Sequence, residues 1–190
     1  MAFARPKKRE PVGEAGLFEF AVGTLARKMR TVRDLKRLMR ARALEGADGE
    51  RDMDAVVARL IELKYLSDTR FAQDYTRMRK ENQGFGRRRV QQDLAMRGVD
   101  KELVSTTLAA AYDETDEVAL ARSYCERKRI KQPAGPDAKK ETVRVMNRLM
   151  RAGYGSNAIF KLLRSWKVEV PVEVSDEALD GPGEYELPEF

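Results

Sequence analysis

Apolar residues recur along this chain at intervals of three and four. Met53, Val56, Val57, Leu60 and Ile61 fall at i, i+3, i+4, i+7 and i+8, and Leu103, Val104, Thr107, Leu108, Ala111 and Tyr112 repeat the pattern. Val143, Met146, Leu149 and Met150 follow it more loosely, as do Ile159, Leu162, Leu163 and Trp166. Each set places its apolar side chains along one side of a 3.6-residue helix, so each predicts a helix with a single buried stripe. No stretch alternates apolar and polar residues as a half-buried strand would, and the predicted class is all-α.

The residues between these stripes act as punctuation. Either Ser67 or Asp68 can start a helix by accepting orphan backbone N–H groups. Asp113 through Glu117 place negative charge where a helix dipole favours it. Gly84-Phe85-Gly86, Gly98 and Gly153 stand where helices should stop, and Gly46 to Gly49 and Gln132 to Pro136 read as longer loops.

The helices also repeat. Phe71-Ala72-x-x-Tyr75-x-x-x-Arg79 matches Leu120-Ala121-x-x-Tyr124-x-x-x-Lys128, and Phe20-Ala21-x-x-Thr24-x-x-x-Lys28 matches both more weakly. Leu94, Gly98, Val99, Val104 and Leu108 correspond to Leu149, Gly153, Tyr154, Ile159 and Leu163. We therefore expect three tandem three-helix repeats, at 14–66, 68–112 and 114–167. Units this short bury their faces by stacking on neighbours. Outside them we expect a flexible basic arm at 1–13 and a disordered acidic tail at 168–190.

Charge sharpens the picture. The net charge is +6, but no Lys or Arg follows Lys167, whereas eight acidic residues do. Setting those eight aside leaves +14 on residues 1–167, a body that attracts polyanions or an acidic protein surface. The tail serves solubility or competes for the basic face.

The positive charge gathers on the middle helix of each repeat. Arg30, Arg33, Lys36, Arg37 and Arg40 share roughly a third of the helical circle, opposite Val32, Leu35, Leu38 and Met39. The second repeat carries Arg87, Arg88, Arg89 and Arg97, preceded by Arg70, Arg77 and Lys80 on the outer face of their own helix. In the third, Lys140, Arg144, Arg148 and Arg151 form a stripe opposite Val143, Met146 and Leu149. One such face is ordinarily solvated surface, but recurrence in three units points to an extended basic binding face. Arg outnumbers Lys in these stripes, which suits bidentate contacts to carboxylates or phosphates. Phe71, Tyr75 and Tyr124 fall on apolar stripes and are expected in the core rather than stacked on bases. Phe85, between two glycines, is a candidate partner-facing anchor.

Several functions are disfavoured. The chain has no histidine, the commonest general base and metal ligand. Its single cysteine, Cys125, allows neither an intrachain disulfide nor a zinc site and is expected to be a small core residue. There is no phosphate-binding GxxxxGK[ST] loop. Asp52 with Asp54, and the Asp113–Glu117 group, fit helix N-termini better than two-metal catalysis. No apolar run approaches the roughly 20 residues that span a membrane, and the basic N-terminus lacks the apolar segment of a secretory signal. These features describe a cytoplasmic, non-enzymatic, monomeric binding protein with no cofactor and no metal.

The run from Tyr65 to Val99, with YLSD-x-x-FA-x-x-Y-x-x-x-R followed by GFGRRRVQQDLAMRGV, resembles the RecX family of recombination regulators. RVMNRLMRAGYGSNAIFKLLRSW resembles that family's closing repeat, and LFEFAVGTLARKMRTVRDLKRLMRARA its opening one. The resemblance spans about residues 15–167. Ser67 stands where an acidic residue is common in the family, and the basic arm and acidic tail are further departures. The resemblance implies an elongated, bent all-helical array that lies in the groove of the RecA recombinase filament on DNA and inhibits ATP hydrolysis and strand exchange. A second reading is a module that binds single- or double-stranded DNA directly and acts by occupying it. A third is a purely structural helical scaffold.

Overall fold

The computed structural model describes residues 10–168, so all of the expected tail but Val168, and most of the basic arm, lie outside the described residues. Those described form nine helices and no strand: α1 (Glu14–Arg27), α2 (Val32–Arg40), α3 (Ala47–Glu62), α4 (Asp68–Glu81), α5 (Arg87–Met96), α6 (Lys101–Tyr112), α7 (Glu117–Arg127), α8 (Ala138–Arg151) and α9 (Ser156–Ser165). The all-α expectation holds. Contacts gather these helices into two compact units. Among the described residues the first comprises 10–77 with Gln91–Ala110, and the second Met78–Val90 with 111–168. The chain of each of α4, α5 and α6 supplies residues to both.

In the first unit α1, α2 and α3 pack on one another around Leu17, Leu35, Met39, Met53, Val56 and Leu60, each essentially inaccessible to solvent. Removing apolar surface from water supplies most of the stabilisation, at roughly 25 cal/mol per Å². Two side chains start α2. Thr31 accepts from the Asp34 amide at 3.1 Å, while Asp68 Oδ1 accepts from the Val32 amide at 2.9 Å. Of the two residues eligible to start α4, Ser67 takes that role, accepting from the Arg70 amide at 3.2 Å. Asp68 is thereby released to serve α2.

Burial raises the Asp68 carboxyl above its ordinary value, with the nearby Asp34 charge acting in the same direction and the Val32 bond opposing both. A carboxyl raised in the folded state loses stabilising influence as pH climbs through its ordinary value to the folded one. Asp68→Asn keeps an oxygen acceptor and removes the half-buried charge. At neutral pH its thermal midpoint should equal or exceed the parent's, whereas Asp68→Ala should lose about 1 kcal/mol in a melt.

In the second unit α7, α8 and α9 enclose Ala121, Tyr124, Cys125, Met146, Leu149, Ile159 and Leu162. Asp116 starts α7 by accepting from the Val118 and Ala119 amides at 2.9 and 3.1 Å, as its acidic cluster predicted. The Tyr154 hydroxyl donates to the Gly84 and Leu120 carbonyls, and burial raises its pKa. Cys125 is a core residue, and burial pushes its thiol up to about 11 from the usual 9. Because the thiolate is the nucleophile, the native protein should react negligibly with a thiol reagent at pH 8 and release one equivalent once denatured. The unfolded chain deprotonates first, so this group removes stability between about pH 9 and 11.

Some expectations need correction. Ile61 and Val143 are 48% and 45% exposed rather than buried. Val143 lies about 100° from the line of Thr142, Val145, Met146 and Leu149 that faces the core, and Ile61 lies in the last turn of α3. The Gly46 to Gly49 loop is mostly the first turn of that helix: only Gly46, at φ +86°, breaks the chain. Gly49 is glycine because a Cβ there would overlap the Leu44 carbonyl. Asp52 and Asp54 sit beyond the first turn of α3, whose first-turn acids are Asp48 and Glu50.

Candidate functional site

In the first unit the cations of α2 point away from Leu35 and Met39 and line a groove of about 730 Å³ with Asp68, Gly98 and Asp100. Arg40 grips Glu50 through both Nε and Nη2, at 2.9 to 3.2 Å. Lys36 pairs with Asp54, and Arg37 meets Asp34 at 3.3 Å. Arg33 is exposed and makes no ion pair among the described residues. Its stem lies against Gly98, at φ +73°, where a Cβ would come within 2.8 Å of the Arg33 Cβ.

Arg97, expected on the same face, is taken up by the fold. Its guanidinium reaches Asp34 at 3.1 Å and lies over the Phe71 and Tyr75 rings, 5.8 and 5.1 Å from their centroids. Tyr75 in turn donates to buried Asp93 at 2.9 Å. The aromatic pair is core, as its stripe predicted. On α4, Arg77 pairs with Asp74 at 2.8 Å, while Arg70 is exposed with no ion pair among the described residues.

The second unit divides its cations in the same way. Lys80 donates to the Ala111 carbonyl and the Thr115 hydroxyl and lies over the Tyr112 ring, fastening the end of α6. Arg87 pairs with Asp113 at 2.7 Å. Phe85 is partly buried: its ring packs 6.4 Å from that of Tyr124, and Arg79 and Arg89 lie over it at 5.4 and 6.0 Å. Its carbonyl accepts from Tyr112 at 2.8 Å, so Phe85 has a packing role inside the unit. Arg88 is exposed, and its amide donates to the Gly153 carbonyl at 3.2 Å.

On α8 the stripe is least engaged. Lys140 meets Asp137 at 3.5 Å, and Arg151 Nε reaches the Asn147 carbonyl at 3.3 Å. Arg144 and Arg148 are exposed and make no ion pair among the described residues. Spaced at i, i+4 and i+7, Arg144, Arg148 and Arg151 rise about 6 and 10.5 Å along the helix. Three cations at such intervals suit a row of carboxylates or phosphates. Among the described residues no three potential ligands gather as a metal site. None of the described helices is long and apolar enough to cross a membrane.

The internal anions were the missed part of this arrangement. Asp34 and Asp93 are 8% and 5% exposed and hold Arg97 and Tyr75 respectively. Asp93 shares the spacing of Val90 and Leu94, so a carboxylate inside an apolar stripe was the available signal.

Comparison with known proteins places this geometry in a family. Residues 67–108 match the model of the second three-helix domain of RecX. The regulatory protein RecX of Stenotrophomonas maltophilia strain K279a is 32% identical over 162 residues, covering 84% of this chain and 89% of that protein. That of Trichlorobacter lovleyi is 34% identical over 106 residues, 56% of this chain and 69% of the relative. In fold, the crystal structure of RecX from Lactobacillus salivarius superposes with a TM-score of 0.62 at 17% identity, over 82% of this chain and 97% of that one.

Proposed function

We propose, from the premise that this chain belongs to the RecX family of regulatory proteins, that it is a cytoplasmic, non-enzymatic negative regulator of the RecA recombinase. It binds in the groove of the RecA–DNA filament and inhibits ATP hydrolysis and strand exchange. The observation that carries this reading is the stripe of Arg144, Arg148 and Arg151, whose cations meet no carboxylate among the described residues. Solvated arginines of this kind add little to folding, since even paired surface charges contribute at most about 1 kcal/mol, and are available to an anionic partner.

Arg33, Arg37 and Arg40, with Arg87 and Arg88, supply further contacts, and the three-helix repeats at 14–66, 68–112 and 114–167 present them to successive recombinase subunits. Modest contacts on one chain then add through effective concentration. Recombinase ATP hydrolysis on single-stranded DNA should fall when the protein is titrated well below one copy per subunit. Inhibition that appears only once the protein saturates the DNA would instead favour direct occupancy of DNA.

A further inference from the structure

In the first unit the end of α1, the end of α3 and the start of α4 border a second groove of about 320 Å³. Its lining includes Met29, Arg30, Lys64, Tyr65, Arg70 and Asp74. None of the uses described above explains it. We propose that this groove docks an acidic peptide segment of a partner protein, taking an aromatic or leucine side chain against Tyr65 and Met29 and carboxylates on Arg30 and Arg70.

One of its three cations, Arg30, is kept at a cost to the fold. Arg30 Nε is sealed from solvent and has no hydrogen-bond acceptor, an arrangement that penalises the folded state. Lys64 occupies the left-handed position that ends α3, at φ +60°, as Arg129 and Lys167 do at the ends of α7 and α9, where a cation suits the helix C-terminus. A residue held against folding preference, as Arg30 is, is a candidate for function.

The apolar surface points the same way. Tyr65 is 62% exposed and Met29 43%, with Ile61 and Leu63 also exposed on the adjoining turns of α3. Large apolar side chains gathered beside cations match a segment that alternates carboxylates with apolar residues. The one anion in the lining, Asp74, is already paired with Arg77, so Arg30, Lys64 and Arg70 leave the groove positive.

Binding is read by fluorescence anisotropy, with the full chain titrated into a short fluorescein-labelled peptide. The peptide carries glutamates on one helical face and leucine and phenylalanine on the other. A control peptide has serine in place of the leucine and phenylalanine. Arg30→Met should weaken binding about tenfold while raising the thermal midpoint by about 2–4 °C, because it removes an unsatisfied buried donor. Tyr65→Ser should also weaken binding severalfold, and Lys161→Gln, at an exposed cation of α9 outside the groove and the α8 stripe, should leave it unchanged. This site is independent of the α8 stripe, so its failure leaves the proposed function standing. Equal binding of the control peptide, equal losses in Lys161→Gln and Arg30→Met, or unaltered binding by Arg30→Met would each overturn the proposal. Binding that full-length protein resists, and that appears only after residues 169–190 are removed, would assign the groove to the chain's own acidic segment and also overturn it.

Discussion

Reversing Arg144 and Arg148 together to Glu should raise the concentration needed for half-inhibition of recombinase ATP hydrolysis by about tenfold or more. Both side chains are exposed and make no ion pair among the described residues; Arg144 lies opposite the buried line of Thr142, Val145, Met146 and Leu149, and Arg148 on its flank. Neither belongs to that line, so their replacement spares it. Reversal replaces two attractions with two repulsions, a change of several kcal/mol for charges desolvated at an interface. Circular dichroism should show unchanged helicity. Full inhibition by the double variant would remove α8 from the interface. Reversing Arg97 and Lys80 would be a poor test of the same idea, because both hold the fold together through Asp34 and the end of α6.

The largest loss of stability is expected from Gly153→Ala. Gly153 closes α8 at φ +91°, and a Cβ would collide with the Arg89 amide nitrogen and come within 2.8 Å of the Gly86 carbonyl oxygen. The neighbours are backbone atoms tied by hydrogen bonds: Gly86 N–H donates to the Ala152 carbonyl at 2.8 Å and Arg88 N–H to the Gly153 carbonyl at 3.2 Å. A left-handed alanine costs about 1–2 kcal/mol and overpacking about 1–3 kcal/mol more. A total near 3 kcal/mol should lower the thermal midpoint by roughly 6–12 °C. Gly23→Ala, where a Cβ meets nothing within 4 Å, is the control and should not lower it. A wild-type midpoint for Gly153→Ala would mean that this crossing is looser than the geometry here.

Much of the architecture was legible because helices announce themselves by spacing. The stripes through Val56 and Leu60, Val104 and Leu108, and Ile159 and Leu162 are buried, and Gly98 and Gly153 end helices in the left-handed conformation. Even the correspondence of Leu94 with Leu149 has a physical counterpart, since each carbonyl accepts from the residue after its glycine, Val99 at 3.2 Å and Tyr154 at 3.2 Å. Periodicity fails at edges. Val143 and Ile61 fit an apolar period and still face outward, because a stripe's centre is better defined than its rim.

The candidate surface was legible only as a list of cations. Spacing shows which arginines share a helix face, but a nearby carboxylate from another helix decides which are engaged. Asp34 meets Arg97 across 63 positions and Thr115 meets Lys80 across 35, separations that no local pattern reveals. The groove beside Tyr65 was missed for the opposite reason. Its cations belong to three separate segments, and the spacing assigned Arg30 and Arg70 to two different stripes. The expected roles of the basic arm and acidic tail fall outside the described residues.

The most direct test of the central claim compares binding of labelled protein to naked single-stranded DNA and to recombinase-coated DNA across a salt series. A filament regulator should bind coated DNA far more tightly and keep that preference at moderate salt. A DNA-occupying module would bind naked DNA as well or better, lose about three orders of magnitude or more of affinity between 50 and 200 mM salt if it made several phosphate contacts, and contradict the account.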